Sequence, residues 1–193
     1  MNTLTTHRSL SLPRRDLLKG AGALSAGAVL MLAGAGSRAQ AASGEGDVAI
    51  LNVALALEHE AIAAYQLGAT SGLLQKPVLD TAVRFQSDHK AHRDALVATI
   101  RKLGGKPTEE LSVEKYTSSL GAASLKNQVD VLQLAARLEL GATNAYLSVI
   151  PSFRDGQLAK VAGRLAADET LHWTLLNSAL GRPLPAGALS FGA

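Results

Sequence analysis

The chain has 193 residues, 47% of them apolar and 18% charged, with 18 glycines and no cysteine. The missing cysteine excludes disulfide frameworks, thiolate nucleophiles, zinc ribbons and iron–sulfur sites. Of the 19 basic residues, five (Arg8, Arg14, Arg15, Lys19, Arg38) precede residue 42 together with a single acidic one, Asp16; this leaves 14 basic against 15 acidic beyond it, a balance that does not suit nucleic acid.

In chain order the first 41 residues read as an export signal. Pro13-Arg14-Arg15-Asp16-Leu17-Leu18-Lys19 resembles the twin-arginine motif, and an Ala- and Gly-rich apolar run from Ala21 to Gly36 follows it. That run is too short and too weakly apolar for a membrane anchor. Ala39-Gln40-Ala41 supplies the small-x-small pattern of a cleavage site. The expectation is a mature chain from about Ala42, exported through the twin-arginine translocation machinery to the periplasm or another extracytoplasmic compartment. About 150 residues then remain, enough for one domain with its own core.

Four segments of that domain carry helical periodicity and none alternates like a strand. The first, about Asp47 to Gly68, aligns Leu51, Leu55, Glu58, Ile62 and Tyr65 on one seam. The second starts near Pro77, a good first-turn residue, and ends at Gly104-Gly105, with Phe85, His89, His92, Leu96 and Leu103 inward. The third, about Leu125 to Ile150, aligns Leu132, Glu139, Tyr146 and Ile150 and stops at Pro151. The fourth, about Gly156 to Leu180, aligns Leu165, Glu169, His172 and Leu176. Short turns near Ser71-Gly72 and Asp155-Gly156 predict two antiparallel hairpins. The longer stretch from Lys106 to Ser124 can span the bundle and start the third helix at the far end. The fold predicted is an all-α four-helix bundle of two hairpins joined by a long crossover, with a loose tail from about residue 182.

The two halves repeat one pattern. Leu57-Glu58, Tyr65, Asp88, His89 and His92 in the first half correspond to Leu138-Glu139, Tyr146, Asp168, Glu169 and His172 in the second, with Glu to Tyr seven residues apart and Asp to His four apart in both. Charged and imidazole groups on the inward seams of four helices are costly unless paired or bound to a metal. Carboxylates and imidazoles at i and i+3 on one helix face, as in Glu169 and His172, are the donor set of a divalent metal site.

This constellation resembles the ferritin-like superfamily, in particular its bacterioferritin- and rubrerythrin-type di-iron bundles, across the whole of the predicted mature chain. Leu57-Glu58-His59-Glu60-Ala61 and His89-Lys90-Ala91-His92-Arg93-Asp94-Ala95-Leu96 are also similar to ferritin-like domains of exported bacterial proteins. The resemblance implies that Glu58 and Glu139 are terminal carboxylate ligands, Glu169 a bridging one, and His92 and His172 imidazole ligands. It further implies that Asp88 and Asp168 hold the opposing histidines in one tautomer and that Tyr65 and Tyr146 are hydrogen-bonding, redox-buffering partners of the site. His89 departs from the pattern by standing where the first half should have its bridging Glu. Three carboxylates and three imidazoles then replace four and two, and a two-metal site, a single-metal site and a lost site all stay open.

The function implied is oxidation of ferrous iron, or handling of peroxide and oxidative stress, with dioxygen or peroxide as reactant and iron or manganese as the metal. The alternative is a metal-free ferritin-like scaffold with an interaction role in the cell envelope. Haem ligated by methionine is excluded from the mature chain, because Met1 and Met31 are its only methionines. His59 and Glu60 point off the seam and are expected beside the site or in solvent. Glu109, Glu110 and Glu114 read as a solvated face, and Trp173 as packing at the bundle end or a contact in a homo-oligomer.

Overall fold

The computed structural model describes residues 45–189, so the expected export signal and its cleavage site lie outside the described residues. Four long helices form the bundle: α1 (Glu45–Thr70), α2 (Lys76–Lys102), α4 (Gln128–Val149) and α5 (Gly156–Ala179). Between α2 and α4 the crossover carries a short helix, α3 (Val113–Ser119), and a 3-10 turn at Ala122–Ser124; a second 3-10 turn, Ile150–Ser152, follows α4. No strand occurs among the described residues. The all-α bundle of two hairpins read from periodicity is therefore the observed architecture.

Local chemistry sets where each helix begins and ends. Pro77 opens α2, where a missing N–H costs nothing. α2 and α5 close alike: Gly104 and Gly181 adopt left-handed φ of 79° and 67°, and Gly105 N and Arg182 N each donate back to the last turn, at Ile100 O and Asn177 O, 2.9 Å away. The helix predicted from about Leu125 starts three residues later. Asn127 is extended, and its side chain accepts from Asp130 N at 3.0 Å while Asp130 accepts from Lys126 N at 2.9 Å; this reciprocal cap fixes the start at Gln128. Asp155 caps α5 through Gln157 N at 2.7 Å.

The pairs across helices define the topology. α1 meets α2 in antiparallel order, Leu51 and Leu55 lying near Leu96 and Ile100 and Gln86 donating to Ile62 O. α1 meets α4 antiparallel as well, through Tyr65 with Glu139 and Glu58 with Tyr146. α4 therefore starts at the end of the bundle opposite to where α2 finishes, and the crossover runs its length. Asn52 anchors the departing chain by donating to Lys106 O and accepting from Thr108 N. α3 then packs Tyr116 and Leu120 against Ala64 and Leu134.

That packing corrects one expectation. His59 and Glu60, read as near the site or solvated, are buried on the α1 face beneath the crossover, with His59 Nδ1 4.0 Å from Glu110. Helical periodicity gives their direction but not what a 25-residue connection will cover. Two apolar layers occupy the two ends of the interior: Leu51, Leu55, Leu96, Ile100, Leu158 and Leu165 at one end, and Phe85, Leu132, Ala136 and Leu176 at the other.

A Cβ at Gly104 would meet nothing within 4 Å, so Gly104→Ala isolates the conformational cost of the left-handed turn. It is expected to destabilise the domain by about 1 kcal/mol and to lower Tm by about 2–4 °C in a thermal melt.

Candidate metal centre

Between the two apolar layers each long helix turns a polar residue inward. Glu58 on α1, His89 and His92 on α2, Glu139 on α4, and Glu169 and His172 on α5 are all buried. Helical spacing puts each where a core residue of its seam belongs. The structure thus gathers all six candidate ligands into one interior cluster.

The arrangement crosses the duplicated halves. Tyr65 donates to Glu139 Oε1, and Tyr146 to Glu58 Oε1. His92 Nε2 faces Asp168 Oδ2 at 3.3 Å, and His172 Nε2 faces Asp88 Oδ2 at 3.5 Å. Each half supplies the tyrosine and aspartate that sit against the other half's carboxylate and imidazole. The Nδ1 atoms of His92 and His172 therefore point inward, 3.2 and 3.3 Å from Glu169 Oε1 and Oε2 respectively.

These inward atoms lack hydrogen-bond partners. His92 Nδ1, His172 Nδ1 and both oxygens of Glu169 are buried and unpaired, which is costly for a folded protein unless something else satisfies them. Ligand atoms converge in two groups, Glu58, His89, His92 and Glu169, and His89, Glu139, Glu169 and His172, each within 4.8 Å of one another. Mixed carboxylate and imidazole donors suit iron, manganese or zinc, so the residues present fit a divalent transition-metal ion.

His89 links the two groups. Its Nδ1 lies 2.8 Å from Glu58 Oε2 and its Nε2 3.2 Å from Glu139 Oε1. A neutral imidazole donates from only one nitrogen, so the form that satisfies both carboxylates is the imidazolium. The ring spans the site where a fourth carboxylate would stand.

Electrostatics follow from these contacts. Burial would raise the Glu58 carboxyl, but hydrogen bonds and charge from His89 and His92 hold it at about 2; Glu139 is likewise held low by His172 and His89 against its burial. Glu169 is raised, by burial first and by repulsion from Glu58 and Glu139, and the imidazoles opposing this lie in ion-pair range without hydrogen-bond alignment. Burial would lower the histidines, yet Glu169 and Glu58 bring His92 to about 10, Glu139 and Glu169 bring His172 to about 9, and Glu139 and Glu58 hold His89 well up. Burial and the facing carboxylates keep Tyr65 and Tyr146 protonated.

Two residues of the site carried no role in the sequence pattern. Phe85 stacks on His172 with ring centroids 3.9 Å apart, and its inward register was the only hint of it. Thr143 is fully buried with an unpaired Oγ1, one turn beyond Glu139 on the same α4 seam. Its counterpart in the first half, Ile62, is apolar, so the repeat concealed it.

A family model described as a ferritin-like domain matches residues 46–182. The crystal structure of a conserved hypothetical protein, rv2844, from Mycobacterium tuberculosis is similar in fold, with a TM-score of 0.61 at 21% identity over 76% of this chain and 99% of that one. No curated protein matches the chain.

The cluster predicts the pH dependence of the metal-stripped protein. His92 and His172 lie above their ordinary value of 6.5 when folded, so the stability they contribute is complete below about 6.5 and is lost as pH rises through 9 and 10. Glu58 lies below its ordinary 4.5, so its contribution is complete above 4.5 and is lost as pH falls towards 2. The raised Glu169 tilts the optimum towards the acid side. Thermal melts against pH should show a maximum between about 4.5 and 6.5 with losses on both flanks; a profile flat from 5 to 10 would contradict the assigned pairings.

Proposed function

The chain belongs to the ferritin-like domain family, and from that premise we propose that it is an exported metal-binding protein that oxidises ferrous iron or consumes peroxide at the Glu58, His89, His92, Glu139, Glu169, His172 cluster. The observation that carries this reading is the set of unpaired, buried ligand atoms on His92, His172 and Glu169 that face one another inside the bundle. Bound there, iron or manganese would supply one-electron chemistry towards dioxygen or peroxide. With ferrous iron as the substrate, two ferrous ions would be oxidised for each peroxide, which with two protons would leave as two waters.

The chain's own residues would do the rest. Glu58, Glu139 and Glu169 supply the negative charge that a divalent ion needs. Asp168 and Asp88, facing the outer nitrogens of His92 and His172, keep the proton on Nε2 and leave Nδ1 open for the ion. Tyr65 and Tyr146 orient Glu139 and Glu58 by hydrogen bonding, and their rings can return an electron to a stray oxidant. The apolar layers above and below limit water access. Because His92 and His172 are protonated when no ion is bound, uptake releases protons and strengthens as pH rises.

Export through the twin-arginine route to the periplasm or a comparable compartment is part of the proposal, supported by Arg14-Arg15, the apolar run and Ala39-Gln40-Ala41. A metal-free scaffold in the envelope is the second reading. It is favoured by His89, whose two hydrogen bonds to Glu58 and Glu139 let an imidazolium stand in for a cation.

Elemental analysis of protein purified without chelator or affinity metal separates the two. The expected result is at least one iron or manganese per chain, lost in Glu169→Ala, with His89→Glu raising occupancy towards two. No metal after reconstitution would leave the scaffold reading.

A further inference from the structure

The apolar layer on the α4 N-terminal side of the ligand cluster is not fully packed. A partly enclosed cavity of about 200 Å³ lies there, among Tyr65, Val78, Ala82, Phe85, Leu132 and Ala135 with other residues of α1, α2, α4 and α5. Its wall is almost wholly apolar, and its two side-chain hydroxyls already donate within the protein, Thr81 to Pro77 O and Tyr65 to Glu139. Water there would find too few partners, because a stable buried water needs two to four. A volume of this size that side chains leave unfilled deprives the wall of protein contacts.

The floor of the cavity is the outer shell of the ligand cluster. Phe85 stacks on His172, Tyr65 meets Phe85 edge-on at 6.0 Å, and the Tyr65 hydroxyl reaches Glu139. We infer that this cavity is a binding site for a small uncharged apolar molecule, of about eight non-hydrogen atoms when scaled from benzene in a cavity of about 150 Å³. The chemistry selects against charge and against strongly polar ligands, since the wall is almost wholly apolar and its two hydroxyls have already spent their protons. Occupancy would set the ligand against Phe85 and Tyr65, one ring away from His172 and Glu139. The site does not depend on whether the cluster holds metal.

The only tryptophan of the chain, Trp173, packs against the same layer and reports on it. The experiment titrates the full chain, as purified and again after metal stripping, with ethylbenzene, and with phenol as a polar control of comparable size. Trp173 fluorescence and Tm are read together. The expected result is a saturable fluorescence change with a rise in Tm for ethylbenzene, about tenfold weaker for phenol. Ala82→Leu on α2 and Ala135→Leu on α4 each fill the space from opposite walls. Loss of at least about tenfold in affinity in whichever variant folds supports the site. No saturable response, an equal response to phenol, or undiminished binding in both filled variants overturns it.

Discussion

The packing of the described residues answers to one constraint: six ionisable side chains, three carboxylates and three imidazoles, share the interior of a helical bundle. A single unpaired charge there would cost several kcal/mol, a large part of the stability of a domain this size. The cluster must neutralise itself or bind something that does. The crossed tyrosines and the aspartates behind His92 and His172 serve that balance. The apolar layers on both sides make the balance obligatory by keeping water away.

The crossed arrangement explains why two hairpins and a bundle-length connection are needed. α1 and α4 run antiparallel, so Glu58 and Tyr65 meet Tyr146 and Glu139 in reversed order, and each half completes the other. A short link between α2 and α4 would start α4 at the wrong end and put each tyrosine far from the carboxylate it serves. The crossover therefore sets the chemistry of the site, although none of its residues belongs to it. Its own burial of His59 and Glu60 is a consequence of covering that length with the packed Tyr116 and Leu120.

The sequence made the bundle and the six clustered residues legible because both rest on spacing. Buried residues recur on each seam, and a charged residue on such a seam has nowhere to go but inward. The end of α2 at Gly104-Gly105 was legible as well, because a left-handed turn favours glycine. What spacing could not supply was contact between non-adjacent elements. The late start of α4 depends on the reciprocal cap of Asn127 and Asp130, the burial of Glu60 on a distant crossover, and the stacking of Phe85 on His172 on the rotation of two helices in different hairpins. Thr143 escaped because the first half has Ile62 at the equivalent position, so the duplication that exposed the other residues hid this one.

His89 is where the duplication fails, and the failure changes the charge count more than the geometry. With a carboxylate at that position four negative charges would face two divalent ions and cancel. With His89 only three remain, so two divalent ions and neutral imidazoles leave an excess of one positive charge in a dry interior, an arrangement burial disfavours. One divalent ion with His89 kept as an imidazolium cancels the three carboxylates. The observed contacts suit that state, because His89 already spends both nitrogens on Glu58 and Glu139, while the inward nitrogens of His92 and His172 and the oxygens of Glu169 stay unpaired. Substituting one residue in a duplicated site can in this way exchange a metal ion for a proton while leaving the bundle that positions them unchanged.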